Sequence, residues 1–149
     1  MRISKWILVT ALAAAPLAAN APVSRAGSVG SELWLAGGFV DADYSDYVKA
    51  CIRGGAGATF FDRVGLGGSA QVDQIRYFYF GYAAVYFPQV GMLEPYGRFH
   101  VGRRDDIDET ALGWTVGAGV GDGSVRVFIE AHGVYQPGYA YGASFGFSF

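Results

Sequence analysis

The final eleven residues, Tyr139 to Phe149 (YAYGASFGFSF), constrain the fold more than any other stretch. Odd positions are aromatic apart from the small Ala143, and even positions are Ala, Gly or Ser. Successive side chains of a β-strand point to opposite faces, so this segment has one greasy face and one small, polar face. A strand that shows aromatics along one side and ends on Phe149 suits an outer face that meets lipid, and would make a poor last strand for a soluble protein.

The start of the chain indicates an exported protein. Arg2 and Lys5 form a basic lead, Trp6 to Ala19 an apolar, alanine-rich stretch, and Ala19-Asn20-Ala21 a small-residue cleavage site. Residues 1–21 therefore read as a secretory signal peptide. Ser24-Arg25-Ala26 offers a second cut, after residue 26, and the sequence does not choose between them. A membrane anchor fits less well, because about 14 residues interrupted by Pro16 fall short of the roughly 20 that span a bilayer. Cys51 lies far from the cleavage site without a lipoprotein-type motif before it, so no lipid anchor is expected.

What remains, 27–149, is enough for one domain. With Lys+Arg 11 against Asp+Glu 13, the charge gives no support for nucleic-acid binding. A single Cys cannot form an internal disulfide. Gly at 23 disfavours helices, and Tyr 10 with Phe 11 favours strands, so the composition argues for an all-β chain.

Eight strands are expected, at about 31–40, 47–61, 64–73, 77–87, 94–103, 110–120, 125–135 and 139–149, most of them near the length that crosses a membrane when tilted. Turn signals separate them: Asp41-Ala42-Asp43, Phe61-Asp62-Arg63, Pro88 to Gly91, Arg103 to Glu109, Gly121-Asp122-Gly123 and Gln136-Pro137-Gly138. The break near Asp73 to Arg76 is weaker. The fold class that follows is an eight-stranded antiparallel up-and-down transmembrane β-barrel.

Alternation sorts most strands into two faces. Val125, Val127, Ile129, Ala131 and Gly133 oppose Arg126, Phe128, Glu130, His132 and Val134. Leu112, Trp114, Val116, Ala118 and Val120 oppose Ala111, Gly113, Thr115, Gly117 and Gly119. Val64, Leu66, Ala70 and Val72 oppose Gly65, Gly67, Ser69, Gln71 and Asp73; Pro95, Gly97, Phe99 and Val101 oppose Glu94, Tyr96, Arg98 and His100. In the second strand Ile52, Ala56 and Phe60 oppose Lys49, Cys51, Arg53 and Thr59, whereas the fourth is apolar on both faces and has no readable phase.

The second face holds many small residues and only one or two charges per strand. That is too few for a solvated exterior, but it suits the interior of an eight-stranded barrel, which is just wide enough for side chains to fill. Pairing strands five and six around Asp106 puts Arg98 opposite Thr115 and Glu94 opposite Gly119. Pairing six and seven around Asp122-Gly123 puts Thr115 opposite Glu130 and Gly119 opposite Arg126. Arg98 is then expected to meet Glu130 across Thr115, Glu94 to meet Arg126 across Gly119, and His100 to approach His132 across Gly113. Paired charges are how a low-dielectric interior tolerates ions.

Aromatics mark the two ends: Phe60, Phe61, Phe87, Phe147 and Phe149 at one, Tyr44, Tyr47, Tyr135 and Tyr139 at the other, as in an interfacial girdle. An even strand number leaves both termini on one side, with the turns at 61–64 and 121–124 periplasmic. The connections near 41–46, 104–109 and 136–138 are then extracellular.

Leu93 to Phe99 (LEPYGRF), Gly113 to Gly121 (GWTVGAGVG), Val125 to Glu130 (VRVFIE) and Gly142 to Phe149 (GASFGFSF) resemble the C-terminal half of the outer-membrane β-barrel domain family, which includes OmpA-like, opacity-type and OmpX-like barrels. The resemblance implies the outer membrane as location, with lipopolysaccharide and phospholipid as surroundings. It also implies contact with the barrel-assembly machinery through the last strand, ending at Phe149. A closed barrel needs no edge partner, so a monomer is expected. The compact loops and the lack of a periplasmic domain speak against adhesion or cell-wall tethering.

No catalytic, cofactor-binding or metal-binding residues are assigned. Lipid A deacylase-type barrels resemble a His-x-Ser pair, but His100 is followed by Val101-Gly102 and His132 by Gly133-Val134. The nearest Ser to His132 in the next strand is Ser144, on the lumen face where a substrate hardly reaches. Two His without close carboxylates or Cys offer too few metal ligands. The Gly-rich runs at 54–57 and 65–68 lack the Lys-Ser/Thr and helix of a phosphate loop. The expected role is structural or surface-interactive, with charged pairs plugging the lumen. A narrow porin-like channel and a lipid A-modifying enzyme are the alternatives.

Overall fold

A computed structural model describes residues 29–42, 48–73, 76–105, 109–121, 125–135 and 139–149. The signal-peptide assignment to 1–21 and its alternative cut after 26, with Tyr44 and Tyr47 of the expected girdle, lie outside the described residues.

Eight strands follow in order: β1 (Val29–Ala42), β2 (Lys49–Phe60), β3 (Val64–Asp73), β4 (Arg76–Tyr86), β5 (Glu94–Arg104), β6 (Thr110–Gly121), β7 (Arg126–Tyr135) and β8 (Tyr139–Ser148). Each pairs antiparallel with its neighbours in sequence, and β1 pairs with β8, closing the sheet into a barrel. The seam runs through Phe39↔Ala143 and Leu35↔Phe147. It is extended by Phe149 N donating to Leu33 O at 2.8 Å. Closure leaves no unpaired strand edge.

The two-residue alternation sorts side chains as the sequence implied. Leu35, Phe39, Ile52, Leu66, Phe99, Val116, Ile129 and Phe145 are exposed on the outside, whereas Arg53, Arg98, Glu130 and His132 are buried within. The unreadable fourth strand turns Phe78, Phe80, Tyr82, Ala84 and Tyr86 inward. Trp34 is 1% exposed and Trp114 41%, so the two indoles stand on opposite sides of the wall. Trp114 also explains a break in the pattern: Gly133, its cross-strand partner on the outer face, is nevertheless buried. A Cβ at Gly133 would lie 2.5 Å from Trp114 Nε1, so the indole lies flat over the glycine and covers its backbone.

One end of the barrel carries exposed Phe61, Phe87, Phe147 and Phe149, and the other exposed Tyr135, Tyr139 and Tyr141. Two turns at the phenylalanine end have defined geometry. In the β2–β3 turn Phe61 and Asp62 both have φ of 54°, the paired left-handed conformation of a type I′ hairpin. Arg63 N closes it onto Phe60 O at 3.1 Å. In the longer β4–β5 connection Val90 and Leu93 bond reciprocally, at 2.8 and 3.1 Å, around Gly91 with φ of 64°.

The interior divides into three apolar clusters. Trp34, Ala36, Tyr82, Ala84, Tyr86, Tyr96 and Phe128 fill the half nearer the phenylalanine end. Toward the other end lie Val40, Ala42, Cys51 and Ala140 on one wall, and Phe78, Phe80, Ala111 and Val134 on the other. Inward glycines make room for the large rings. A Cβ would meet Tyr82 at 2.6 Å from Gly57, Tyr96 at 2.7 Å from Gly117 and Phe128 at 2.6 Å from Gly146.

Candidate functional site

The chemistry of the chain is concentrated in the middle of the lumen. Glu130, on the inward face of β7, is fully enclosed and receives four donors. Arg53 Nη1 approaches Oε1 at 2.5 Å and Ser144 Oγ donates to the same oxygen at 2.9 Å. Tyr96 OH donates to Oε2 at 2.8 Å, and Arg98 Nη1 reaches it at 3.3 Å. Arg98 then bridges to a second carboxylate, since its Nη2 donates to Glu32 Oε1 at 2.8 Å. Glu32 also accepts from Tyr82 OH at 3.1 Å and from Tyr86 OH.

Four buried ions thus alternate in sign, Glu32–Arg98–Glu130–Arg53, and the tyrosine and serine hydroxyls satisfy remaining lone pairs. Charge-assisted bonds of this kind are the strong ones, and enclosure raises the cost of leaving any of them unmade. The guanidinium of Arg98 is also held over the rings of Trp34 and Tyr96, at 4.5 Å from each centroid. A cation against a π face keeps favourable electrostatics where water is excluded.

Above this network, Thr115 Oγ1 accepts from Arg53 Nη2 at 2.9 Å and lies 3.1 Å from His100 Nε2. His100 Nδ1 is 3.3 Å from Ser69 Oγ. His132 Nδ1 faces Ser144 Oγ at 3.4 Å, and its Nε2 lies 3.9 Å from Cys51 Sγ. At the phenylalanine end Arg126 Nη1 and Glu94 Oε2 pair at 2.5 Å, half exposed at the mouth.

Two expected ion pairs therefore form, Arg98–Glu130 and Glu94–Arg126, but not across the residues drawn for them. The β5–β6 register is as expected, with Arg98↔Thr115 and Glu94↔Gly119. The β6–β7 register is displaced by two: Thr115 faces His132, Gly117 faces Glu130 and Gly121 faces Arg126. Pairing ends at Gly121↔Arg126, with four residues between them. A shift of two leaves every side chain on its own face, so the long arginines still reach their carboxylates. The histidines fare differently. His132 stands opposite Thr115 instead of nearing His100 across Gly113, and each imidazole finds its own hydroxyl.

Sequence reasoning placed Arg53 on the inner face without a partner, and missed Glu32, Tyr82 and Tyr86. Glu32 shares its face with Trp34 and Val40, as apolar as the outer Leu33 and Leu35, so alternation alone gave β1 no phase. The signal available was parity with Ala36 and Gly38, small residues like those of the other inner faces.

Ser144 does lie on the lumen face, as expected, where it contacts both Glu130 and His132. Its hydroxyl donates to the carboxylate that the two arginines already hold. The Ser–His contact thus sits beside the ionic network, with both residues buried on the inner face. Among the described residues no group of three His, Cys, Asp or Glu side chains could hold a metal ion.

No protein-family model and no curated protein matches the chain. Solved structures do match. A de novo designed transmembrane β-barrel superposes with a TM-score of 0.64 at 14% identity, over 85% of this chain and 97% of the design. Neisserial surface protein A (NspA) superposes with a TM-score of 0.59 at 14% identity, over 81% of this chain and 97% of that one. The N-terminal β-barrel domain of Pseudomonas aeruginosa OprF gives 0.53 at 15% identity, over 79% and 97%. The chain has the fold of the small eight-stranded outer-membrane barrels. That a designed barrel fits as well as the natural ones indicates that wall geometry, set by strand number and alternation, carries the likeness.

Proposed function

We propose that the protein is an outer-membrane β-barrel, exported by its N-terminal signal peptide, with a structural or surface-interacting role and no catalysis. The observation that carries this reading is the inversion of polarity across the wall. Four ions, Glu32, Arg53, Arg98 and Glu130, are enclosed, while Phe39, Ile52, Phe99, Val116, Ile129 and Phe145 face outward. Water would reject that exterior; acyl chains accept it, and a closed barrel leaves no backbone group unsatisfied in hydrocarbon.

The lumen is closed to solutes. The ionic network is packed among Trp34, Tyr82, Tyr86 and Tyr96, and further apolar clusters hold Phe78, Phe80 and Val40. Support against catalysis comes from burial: a base such as His132 needs its substrate within hydrogen-bond reach, and His132 is enclosed with its two ring nitrogens turned to Ser144 Oγ and Cys51 Sγ. The barrel works as a monomer surrounded by lipopolysaccharide and phospholipid, and is assembled through its last strand, ending at Phe149.

The test is electrophoretic mobility of the outer-membrane fraction with and without boiling. A folded barrel shifts on heating. A protein found in the soluble periplasmic fraction, with no heat-dependent shift, would sink the reading.

A further inference from the structure

The apolar exterior does not stop where the strands stop. From Phe87 to Leu93 the β4–β5 connection contains no charged residue. Val90 is 69% exposed and Met92 75%, with Phe87 and Leu93 half exposed beside them. The segment is a pinned hairpin, since Phe87 N bonds Pro95 O at 2.9 Å and Val90 and Leu93 bond each other in both directions. Its two central residues are Gly91, at φ 64°, and Met92, the glycine-first arrangement of a type II′ turn. Such a turn holds the Met92 side chain out on a rigid support.

A neighbouring turn repeats the theme at a cost. Phe61 is 74% exposed and has a left-handed φ of 54°, a conformation that bulky L residues avoid. A type I′ turn prefers Asn-Gly there, and this one presents a phenylalanine. The two turns are tied together, because Tyr86 N donates to Arg63 O at 2.8 Å. On the hairpin's other side a cleft of about 270 Å³ opens toward the end of β6, lined by Gln89, Met92, Val120 and Gly121. The opposite end of the barrel has Asp41, Arg103, Asp105 and Glu109 at its exposed rim.

We infer that the β4–β5 hairpin, with Phe61, is an apolar foot embedded in the phospholipid leaflet at the periplasmic side. The cleft beside Met92 takes acyl-chain methylenes of that leaflet. The inference rests on the outer-membrane reading above, and it adds a contact that the strands do not require. β4 and β5 have 11 residues each, already enough to cross the hydrocarbon, so the hairpin lies past the crossing, at the headgroup boundary. Lipid is the occupant because the foot is continuous with the lipid-facing wall. Val85 and Phe87 lead into it from β4, and it leaves through Leu93 to Phe99 on β5. An apolar face lying about 5–10 Å into the headgroup and acyl boundary is how interfacial segments bind.

The test uses the full barrel in phosphatidylcholine vesicles, with Met92→Cys in a Cys51→Ala background carrying an environment-sensitive fluorophore. Spin-labelled lipids quench from within the bilayer and iodide from the water, while Trp114, its emission separated from that of the enclosed Trp34 by subtracting the Trp114→Phe variant, reports on the wall. Both the label and Trp114 should lose emission to spin-labelled lipid. The label should lose about twofold or more to spins near the headgroup, and less to spins near the chain end. A label reached by iodide and not by lipid, with Trp114 still quenched, overturns the foot and leaves the membrane reading standing. That outcome would make the hairpin a contact for a soluble protein. Loss of Trp114 quenching as well would overturn the membrane reading itself. Should Met92→Cys fail to fold, the label at Gln89 answers the same question.

Discussion

Glu130 shows how one residue commits the interior. Its two oxygens are held by Arg53, Arg98, Tyr96 and Ser144, so truncating it leaves the buried Arg53 without a carboxylate and Arg98 with Glu32 alone. Removing one member of a buried ionic set costs about 3–5 kcal/mol. Glu130→Ala should lose that much in urea unfolding from vesicles. Glu94→Ala, whose partner Arg126 is 39% exposed, should lose about 1 kcal/mol or less. Equal losses would mean that burial is not what gives the inner network its weight.

Glycines give a second contrast at this scale. A Cβ at Gly57 would lie 2.6 Å from the Tyr82 hydroxyl and 2.4 Å from Leu66 O, whereas one at Gly37 on the outer face meets nothing within 4 Å. Gly57→Ala should cost about 1–3 kcal/mol through overpacking. Gly37→Ala should gain up to about 1 kcal/mol by restricting the unfolded chain, measured in the same unfolding experiment. The inward position of most such glycines was legible from alternation. The ring each one accommodates was not, because β4 reads as apolar on both faces and β1 sets Trp34 on its inner face against Leu33 and Leu35 on the outer. A narrow lumen must be filled, and filling it with Trp34, Phe78 and Tyr82 erases the polarity contrast that reveals strand phase.

At the scale of elements, register separates what local sequence fixes from what it leaves open. Parity decides faces, and every lumen residue of β6 and β7 keeps its side under any even shift. The shift itself depends on the turn. Asp122-Gly123 reads as a tight two-residue turn, yet pairing ends at Gly121↔Arg126, leaving four residues between the strands. The outer-face pair Val116↔Ala131 distinguishes the two registers, since a tight turn would place Val116 against Ile129. In a Cys51→Ala background, Val116→Cys with Ala131→Cys should oxidise readily to a disulfide. Val116→Cys with Ile129→Cys should not, because directly paired Cα atoms meet the geometric requirement and residues two positions along do not. Gel mobility without reductant reads the difference, and the reverse result would restore the shorter turn.

The β2–β3 turn makes a quantitative statement of its own. Asp62 takes the second left-handed position of a type I′ turn, where glycine is preferred. Asp62→Gly should therefore stabilise the folded barrel, by up to about 1 kcal/mol, the low end of the left-handed penalty because Asp tolerates it better than most. Phe61 is left in place, so the midpoint of urea unfolding reports the turn alone. An unchanged or lower midpoint would show that the conformation carries no penalty here.

For the whole molecule, the question is whether the enclosed ions form a gate or a core. A gate requires that releasing the charges opens a path. Here the ions are interleaved with rings, since Arg98 stands over Trp34 and Tyr96 and Glu32 accepts from Tyr82 and Tyr86. Tyr86, Tyr96 and Phe128 lie toward the phenylalanine end, and Phe78, Phe80, Ala111 and Val134 toward the other. Aromatic pairs such as Tyr96–Phe128, at 6.1 Å, and Phe78–Phe80, at 6.0 Å, pack within the lumen. Planar-bilayer recordings of the native protein should show no discrete openings. Arg98→Gln combined with Glu130→Gln should remain silent as well, once a heat-shifted band shows that it has folded. Both halves are needed, because silence in the native protein alone is compatible with a gate that stays shut. Openings in the neutralised variant would mean that the ions hold the pore closed. Continued silence would place closure in the rings around them, and the interior would then be a packed core that happens to be ionic at its centre.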